Sequence, residues 1–212
     1  MNKMFQPQSK TLLFFNILSL LAFLFFLYAV VTEGEFTKID LQLSQAIPTF
    51  QEKTLTSWVL FITNLNVVIG ATIFTVLFSL YLFLKKYYWE LKFYLGAFFL
   101  SSAVFEAIKL IIERARPVLK IIDEQGYSFP SGHSTMSMTI ALALYLIFSA
   151  KIQKASHRRL LLLTAILWPL TIVSARLYLN VHWLSDTLGG VSLGIFCTTL
   201  VYLILKKNPK TI

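Results

Sequence analysis

Charge is scarce in this sequence. Of its 212 residues only 14% are Asp, Glu, Lys or Arg, while 57% are hydrophobic; soluble domains carry about 25% charged residues. A soluble fold of this size has too little interior to hide so much apolar surface, so lipid is the expected solvent. Acidic residues are the scarcer sign: ten against 19 Lys and Arg, a net charge of +9. The basic residues do not form one continuous face with interleaved aromatics, so no nucleic-acid partner is expected. There is one cysteine, Cys197. That excludes an intrachain disulfide framework and a multi-cysteine zinc site, and its apolar surroundings make it a packing residue. No internal repeat, low-complexity tract or linker interrupts the chain, and the length suits one domain over residues 1–212.

The apolar residues fall into runs of about 20, the length needed to cross about 30 Å of hydrocarbon. Six spans are predicted, at residues 11–31, 57–84, 91–112, 134–150, 160–174 (with an extension to Tyr178) and 187–205. The first is longer than the apolar core of a signal peptide and no small-x-small cleavage site follows it, so it reads as a retained helix. The expected fold class is therefore all-α, an integral membrane bundle of six transmembrane helices. Residues 32–56 between the first two spans are polar and mildly acidic. Their Ile39, Leu41, Leu43 and Ile47 suit an interfacial amphipathic segment that caps the surface, with gating of lipid entry as the alternative.

Twelve of the 19 Lys and Arg residues lie at the two ends and in the second and fourth loops. The positive-inside rule then makes the termini cytoplasmic and turns the first, third and fifth loops outward, in a multi-pass protein of the cell membrane. The other seven basic residues are the informative ones. Five of them, Lys109, Arg114, Arg116, Lys120 and Arg176, gather on the third and fifth loops or the helix ends beside them, where the same rule makes cations rare. Charges at such depth are costly and usually functional.

Three segments carry chemistry. Lys109 precedes Arg116-Pro117 by a spacing that, in a helix stopped by Pro117, puts both cations on one face; both could equally be interface anchors. Pro130-Ser131-Gly132-His133 opens the fourth span, with Ser131 as N-cap. The unpaired N–H groups that follow make an anion site at a helix start, and Gly132 allows close approach. In the third segment Arg176 is followed by His182 and then by Asp186 at i+4. If that stretch is helical, the carboxylate reaches the imidazole, fixing its tautomer and freeing the other nitrogen as a nucleophile. A structural capping pair at the start of the sixth span is the alternative. The predicted topology places all three segments at one membrane face. Three cations, a donor-rich helix start and two histidines suit a phosphate dianion and phosphoryl transfer. Glu106, one turn before Lys109, is expected to pair with it. Glu113 and Arg114 read as local interface charges, Asp123 and Glu124 as a solvated turn, with shaping of access as the alternative, and His157 as part of a cytoplasmic basic loop.

These residues resemble the type 2 phosphatidic acid phosphatase family, whose pattern is K-x6-R-P, P-S-G-H and S-R-x5-H-x3-D. One position departs: Ala175 precedes Arg176, with Ser174 one place earlier. The resemblance implies that His182 is the nucleophile and forms a phosphohistidine, that Asp186 orients it, and that His133 protonates the leaving oxygen and later activates water. It implies that Lys109, Arg116 and Arg176, with Ser131 and the Gly132 N–H, hold the phosphoryl oxygens. No metal or other cofactor is expected, because the histidines have other tasks. The expected partners are the bilayer and a lipid phosphate: undecaprenyl pyrophosphate first, phosphatidylglycerophosphate or phosphatidic acid as alternatives. A lipid phosphotransferase remains open. So does a polyprenyl lipid transporter, although Asn64 and Asn66 are the only notable mid-span polar residues and transporters place their polar sites there.

Overall fold

The computed structural model describes residues 9–64 and 68–207. Among these, every regular element is helical. The helices are α1 (Ser9–Val31), α2 (Glu35–Ala46), α3 (Lys53–Asn64), α4 (Val68–Leu84), α5 (Tyr88–Ile112), α6 (Gly132–Ser149), α7 (Ala155–Tyr178) and α8 (Leu184–Lys207), with a 3₁₀ turn at Ile47–Phe50. The all-α membrane bundle expected from the sequence is the one found. Helices α1, α5, α6, α7 and α8 are long and apolar enough to cross a membrane, and α4 is a shorter apolar helix. Phe14, Phe25, Leu77, Phe99, Leu163 and Leu170 are exposed on these helices, as residues facing lipid should be. The fifth span runs to Tyr178 as expected.

Two expectations need correction. The second span is not one helix over 57–84: α3 packs on α7 while α4 packs on α5. Of Asn64 only the backbone is described, and Asn66 lies outside the described residues. Nor is the 32–56 segment merely a surface cap. Helix α2 packs on α1 and α8, and two of its polar residues, Asp40 and Ser44, are buried.

Helix α6 is the axis of the bundle. It contacts α5, α7 and α8, and α8 in turn contacts α1 and α5. Polar side chains join helices where no water is available to them: Thr139 Oγ1 donates to Ser101 Oγ at 2.9 Å, and Asn16 Nδ2 donates to Thr199 Oγ1 at 2.9 Å. The α6–α8 crossing depends on two glycines. A Cβ on Gly190 would lie 2.6 Å from the Ser131 carbonyl oxygen, and one on Gly194 would lie 2.6 Å from that of Thr135. Such close approach is how small residues replace the hydrophobic drive that lipid removes. It also sets the start of α6 directly against the start of α8. Gly194→Ala is expected to cost about 1–3 kcal/mol by overpacking and to lower the thermal midpoint in detergent. Gly34→Ala, whose Cβ would meet nothing nearer than 3.4 Å, should leave it unchanged. Equal midpoints would show that the crossing is looser than described.

Candidate functional site

The ends of α5 and α7 and the beginnings of α6 and α8 meet at one end of the bundle. The α5 helix ends at Ile112, because Glu113 takes a left-handed conformation (φ 51°) while its N–H still reaches the Lys109 carbonyl. The chain therefore leaves the helix four residues before Pro117. Arg116 is not on the helical face of Lys109, as its spacing suggested; the connection from Glu113 to Ser131 carries it back over the helix ends. That connection is held in place by its own backbone. The Ser128 N–H donates to the Arg114 carbonyl at 2.8 Å, and Trp183 Nε1 donates to the Ala115 carbonyl at 2.9 Å.

Arg116 ties the connection to the histidine segment. Its Nε and one terminal nitrogen donate to the carbonyls of Gly126 and Gln125, at 3.0 and 3.1 Å. Its other terminal nitrogen donates to the Val181 carbonyl at 2.8 Å and faces His182 Nε2 at 3.2 Å. A guanidinium has no acceptor, so Nε2 must accept and the imidazole proton must sit on Nδ1. That nitrogen faces Asp186 Oδ2 at 3.4 Å. The sequence asked for this arrangement, and the structure shows how it is reached. His182 lies before α8, not within it, and Asp186 lies in its first turn. Asp186 Oδ2 also accepts from the Trp183 N–H at 2.9 Å, so the carboxylate caps the helix and contacts the imidazole together. His182 is buried. That burial, followed by the charges of Arg116, Arg176 and Lys109, holds its pKa well below 6.5, leaving it neutral and able to act as a nucleophile at neutral pH.

Ser131 caps α6 as expected, accepting from the Ser134 N–H and hydroxyl at 3.4 and 3.1 Å. Its own N–H donates to the Asp186 carbonyl at 3.0 Å, which fixes the start of α6 to that of α8. Gly132, His133, Lys109, Arg116 and His182 line one cavity of about 350 Å³ that also includes Glu106. Ser131, Arg176 and Asp186 are buried beside it. All eight candidate residues named from the sequence are thus brought to one place.

Four residues at this site were not assigned to it from the sequence. Glu124 is not part of a solvated turn. Its Oε2 is 2.5 Å from a terminal nitrogen of Arg176, and its Oε1 is 4.0 Å from Arg116. Burial alone would raise its pKa, but the charge and hydrogen bond of Arg176 outweigh that and hold it below 4.5. Arg114 is not a local interface charge: its two terminal nitrogens bind Asp186 Oδ1 at 2.5 Å and Asp40 Oδ2 at 2.8 Å. Asp40 and Ser185 complete that cluster. The one sequence signal for Arg114 was its membership in the outward basic group. Asp40 and Ser185 had none. Glu113 accepts from the Tyr127 hydroxyl at 2.8 Å.

The arrangement offers three cations, a neutral imidazole backed by a carboxylate, and a second histidine at a helix start around one cavity, a set suited to a phosphoryl group. Comparison with known proteins agrees with that reading. Phosphatidylglycerophosphatase B of Bacillus subtilis (strain 168) is 31% identical over 144 residues, 66% of each chain. A lipid A 4'-phosphatase of Bacteroides thetaiotaomicron is 27% identical over 146 residues, 60% of this chain and 61% of its own. The chain thus spans just under two thirds of the length of these curated relatives. Among solved structures, the PAP2-type phosphatidylglycerolphosphate phosphatase of Bacillus subtilis superimposes with a TM-score of 0.80 at 25% identity, covering 92% of this chain and 98% of its own. Aquifex aeolicus LpxE shares the fold, with a TM-score of 0.60 at 23% identity over 76% of this chain and 93% of its own. The sequence pattern of the PAP2 superfamily matches residues 90–210, more than half of the chain and the whole of the site from Lys109 to Asp186, and the protein belongs to that superfamily.

Proposed function

We propose that this protein is a membrane lipid phosphatase that works through a phosphohistidine on His182. The observation that carries this reading is the placement of His182 between Arg116 and Asp186, with Nε2 at 3.2 Å from the Arg116 guanidinium and both residues lining the cavity. In the first step Nε2 attacks phosphorus, and the bond to the lipid oxygen breaks as His133 gives that oxygen a proton. In the second step His133 takes a proton from water, which attacks the phosphohistidine and releases phosphate. Asp186 holds the Nδ1 proton throughout. Lys109, Arg116 and Arg176 bear the charge that develops on the phosphoryl oxygens, helped by Ser131 and the Gly132 N–H.

The headgroup is a terminal phosphate on a lipid. The name of the relative from Bacillus subtilis supports phosphatidylglycerophosphate, ahead of the undecaprenyl pyrophosphate favoured from the sequence alone. The basic residues near the termini and in the even-numbered loops support cytoplasmic termini and a site at the outer face.

Three outcomes are expected. In detergent with EDTA present, the purified protein releases phosphate from at least one of phosphatidylglycerophosphate, undecaprenyl pyrophosphate and phosphatidic acid. His182→Ala abolishes that release, and His133→Ala lowers kcat by about 10²–10⁴-fold. Loss of release on chelation, or an active His182→Ala protein, would refute the mechanism. Second, a phosphate dianion and the Glu124 carboxylate compete for Arg176, so Glu124→Gln should tighten inhibition by orthovanadate several-fold. An unchanged inhibition constant would show that Glu124 does not stand in the way. Third, Asp123, whose side chain is 77% exposed, reports orientation. In a Cys197→Ser background, Asp123→Cys should react with a membrane-impermeant thiol reagent added outside intact cells; labelling only after lysis would reverse the orientation.

A further inference from the structure

The phosphate-binding cations and the two histidines account for one side of His182. On its other side lies a buried cluster that the mechanism above does not use. Asp40 comes from α2, far in the chain from every motif, yet it is 1% exposed. Its Oδ1 accepts from the Ser185 N–H at 2.9 Å, and its Oδ2 accepts from the Ser185 hydroxyl at 2.5 Å and from Arg114 at 2.8 Å. The other terminal nitrogen of Arg114 donates to Ser185 Oγ at 2.7 Å and to Asp186 Oδ1 at 2.5 Å. The guanidinium also stands over the Trp183 ring, 5.4 Å from its centroid. Both oxygens of Asp186 are therefore assigned: Oδ1 to Arg114, and Oδ2 to the Trp183 N–H and the imidazole of His182.

We propose that Asp40 is a positioning residue for the His182 nucleophile, acting through Arg114 and Asp186. The inference rests on the phosphatase reading above. Its physical basis is charge balance and geometry. Paired with Asp186 alone, Arg114 would form a neutral couple and draw the carboxylate's negative charge away from the imidazole. Asp40 shares Arg114, so the three groups carry one net negative charge beside His182. That charge favours the imidazole becoming cationic as Nε2 bonds to phosphorus. The fork of Arg114 is also held at both ends, which fixes where Asp186 can point. Removing the Asp40 charge should slow the attack without loosening the phosphate, whose cations lie on the opposite side.

The test is Asp40→Asn, which keeps the shape and an acceptor for Ser185, assayed in detergent with the lipid phosphate that the wild-type protein hydrolyses fastest. The expected result is a fall in kcat on the order of tenfold, with KM and inhibition by inorganic phosphate unchanged. Asp40→Asn should also slow an Asp186→Asn protein no further, because both act along one line. A wild-type kcat, a change confined to KM, or losses that multiply in the double variant would each overturn the proposal. A half-buried Arg114 with one anion removed can prevent folding; in that case Ser185→Ala decides. It removes the hydroxyl shared by Asp40 and Arg114 without altering charge, and is expected to lower kcat several-fold at constant KM, whereas an unchanged kcat overturns the proposal. A wild-type protein with no phosphatase activity, or activity surviving in His182→Ala, would remove the parent reading and this one with it. An active wild type, an inactive His182→Ala and an unaffected Asp40→Asn would remove this one alone.

Discussion

A guanidinium buried in a protein surrounded by lipid has to be met by an anion, since neither water nor hydrocarbon is there to take its charge. Arg176 is 1% exposed and the Arg114 side chain 14%, and the end of the bundle is arranged around pairing both. Glu124 comes to Arg176 from the connection between α5 and α6. Asp40 and Asp186 come to Arg114 from α2 and α8. Each pairing draws a separate piece of chain over the helix ends. The position of His182 follows: it lies where the Arg116 side chain, fixed to the carbonyls of the same connection, meets the carboxylate that Arg114 holds.

Helix geometry explains why this happens at helix ends. Within a span every backbone group is paired internally, and only the first and last turns have donors and acceptors to offer. The start of α6 presents N–H groups and the start of α8 presents the Asp186 side chain. The two are pressed together by the contact between the Ser131 N–H and the Asp186 carbonyl, which the absence of a side chain at Gly190 permits. Packing in mid-bundle and the geometry of the site are thus one problem. A shift of α8 along α6 would move the carboxylate relative to the anion-binding turn.

The sequence was legible where function is local. Lys109, Arg116, Pro130 to His133, Arg176, His182 and Asp186 lie in short motifs whose spacings are chemical requirements, and the apolar runs gave five spans directly. It was less legible where a contact is made by folding alone. Arg114 and Asp40 are 74 positions apart, and no spacing rule links them. That α3 packs on α7 while α4 packs on α5 was hidden because an apolar run of that length satisfies any criterion for crossing. Arg116 was assigned to a helical face because the local pattern continues to Pro117; the left-handed Glu113 ends the helix earlier, at a residue type with no special preference for that conformation. Glu124 looked solvated because its neighbours are polar, and only Arg176, from another helix, shows why it is not.

Glu124 also changes how the cation cluster should be understood. Three cations held close around a cavity repel one another, and without an anion the site would resist closing. In the resting arrangement the carboxylate supplies part of that compensation: it lies 2.5 Å from Arg176, within 4.0 Å of Arg116, and in the field of Lys109 and His182. On the proposed reading, a phosphate dianion would supply more charge and three oxygens in place of one carboxylate edge, and would displace Glu124 to leave the cations better matched than before. What binding then gains is the difference between two anions at one place, not the full attraction of an empty cluster. Such an exchange would keep the site formed when no lipid is bound. On the same reading discrimination would depend on charge: a terminal phosphate would outcompete the carboxylate, while a phosphodiester, with a single charge and fewer free oxygens, would have much less to offer in exchange.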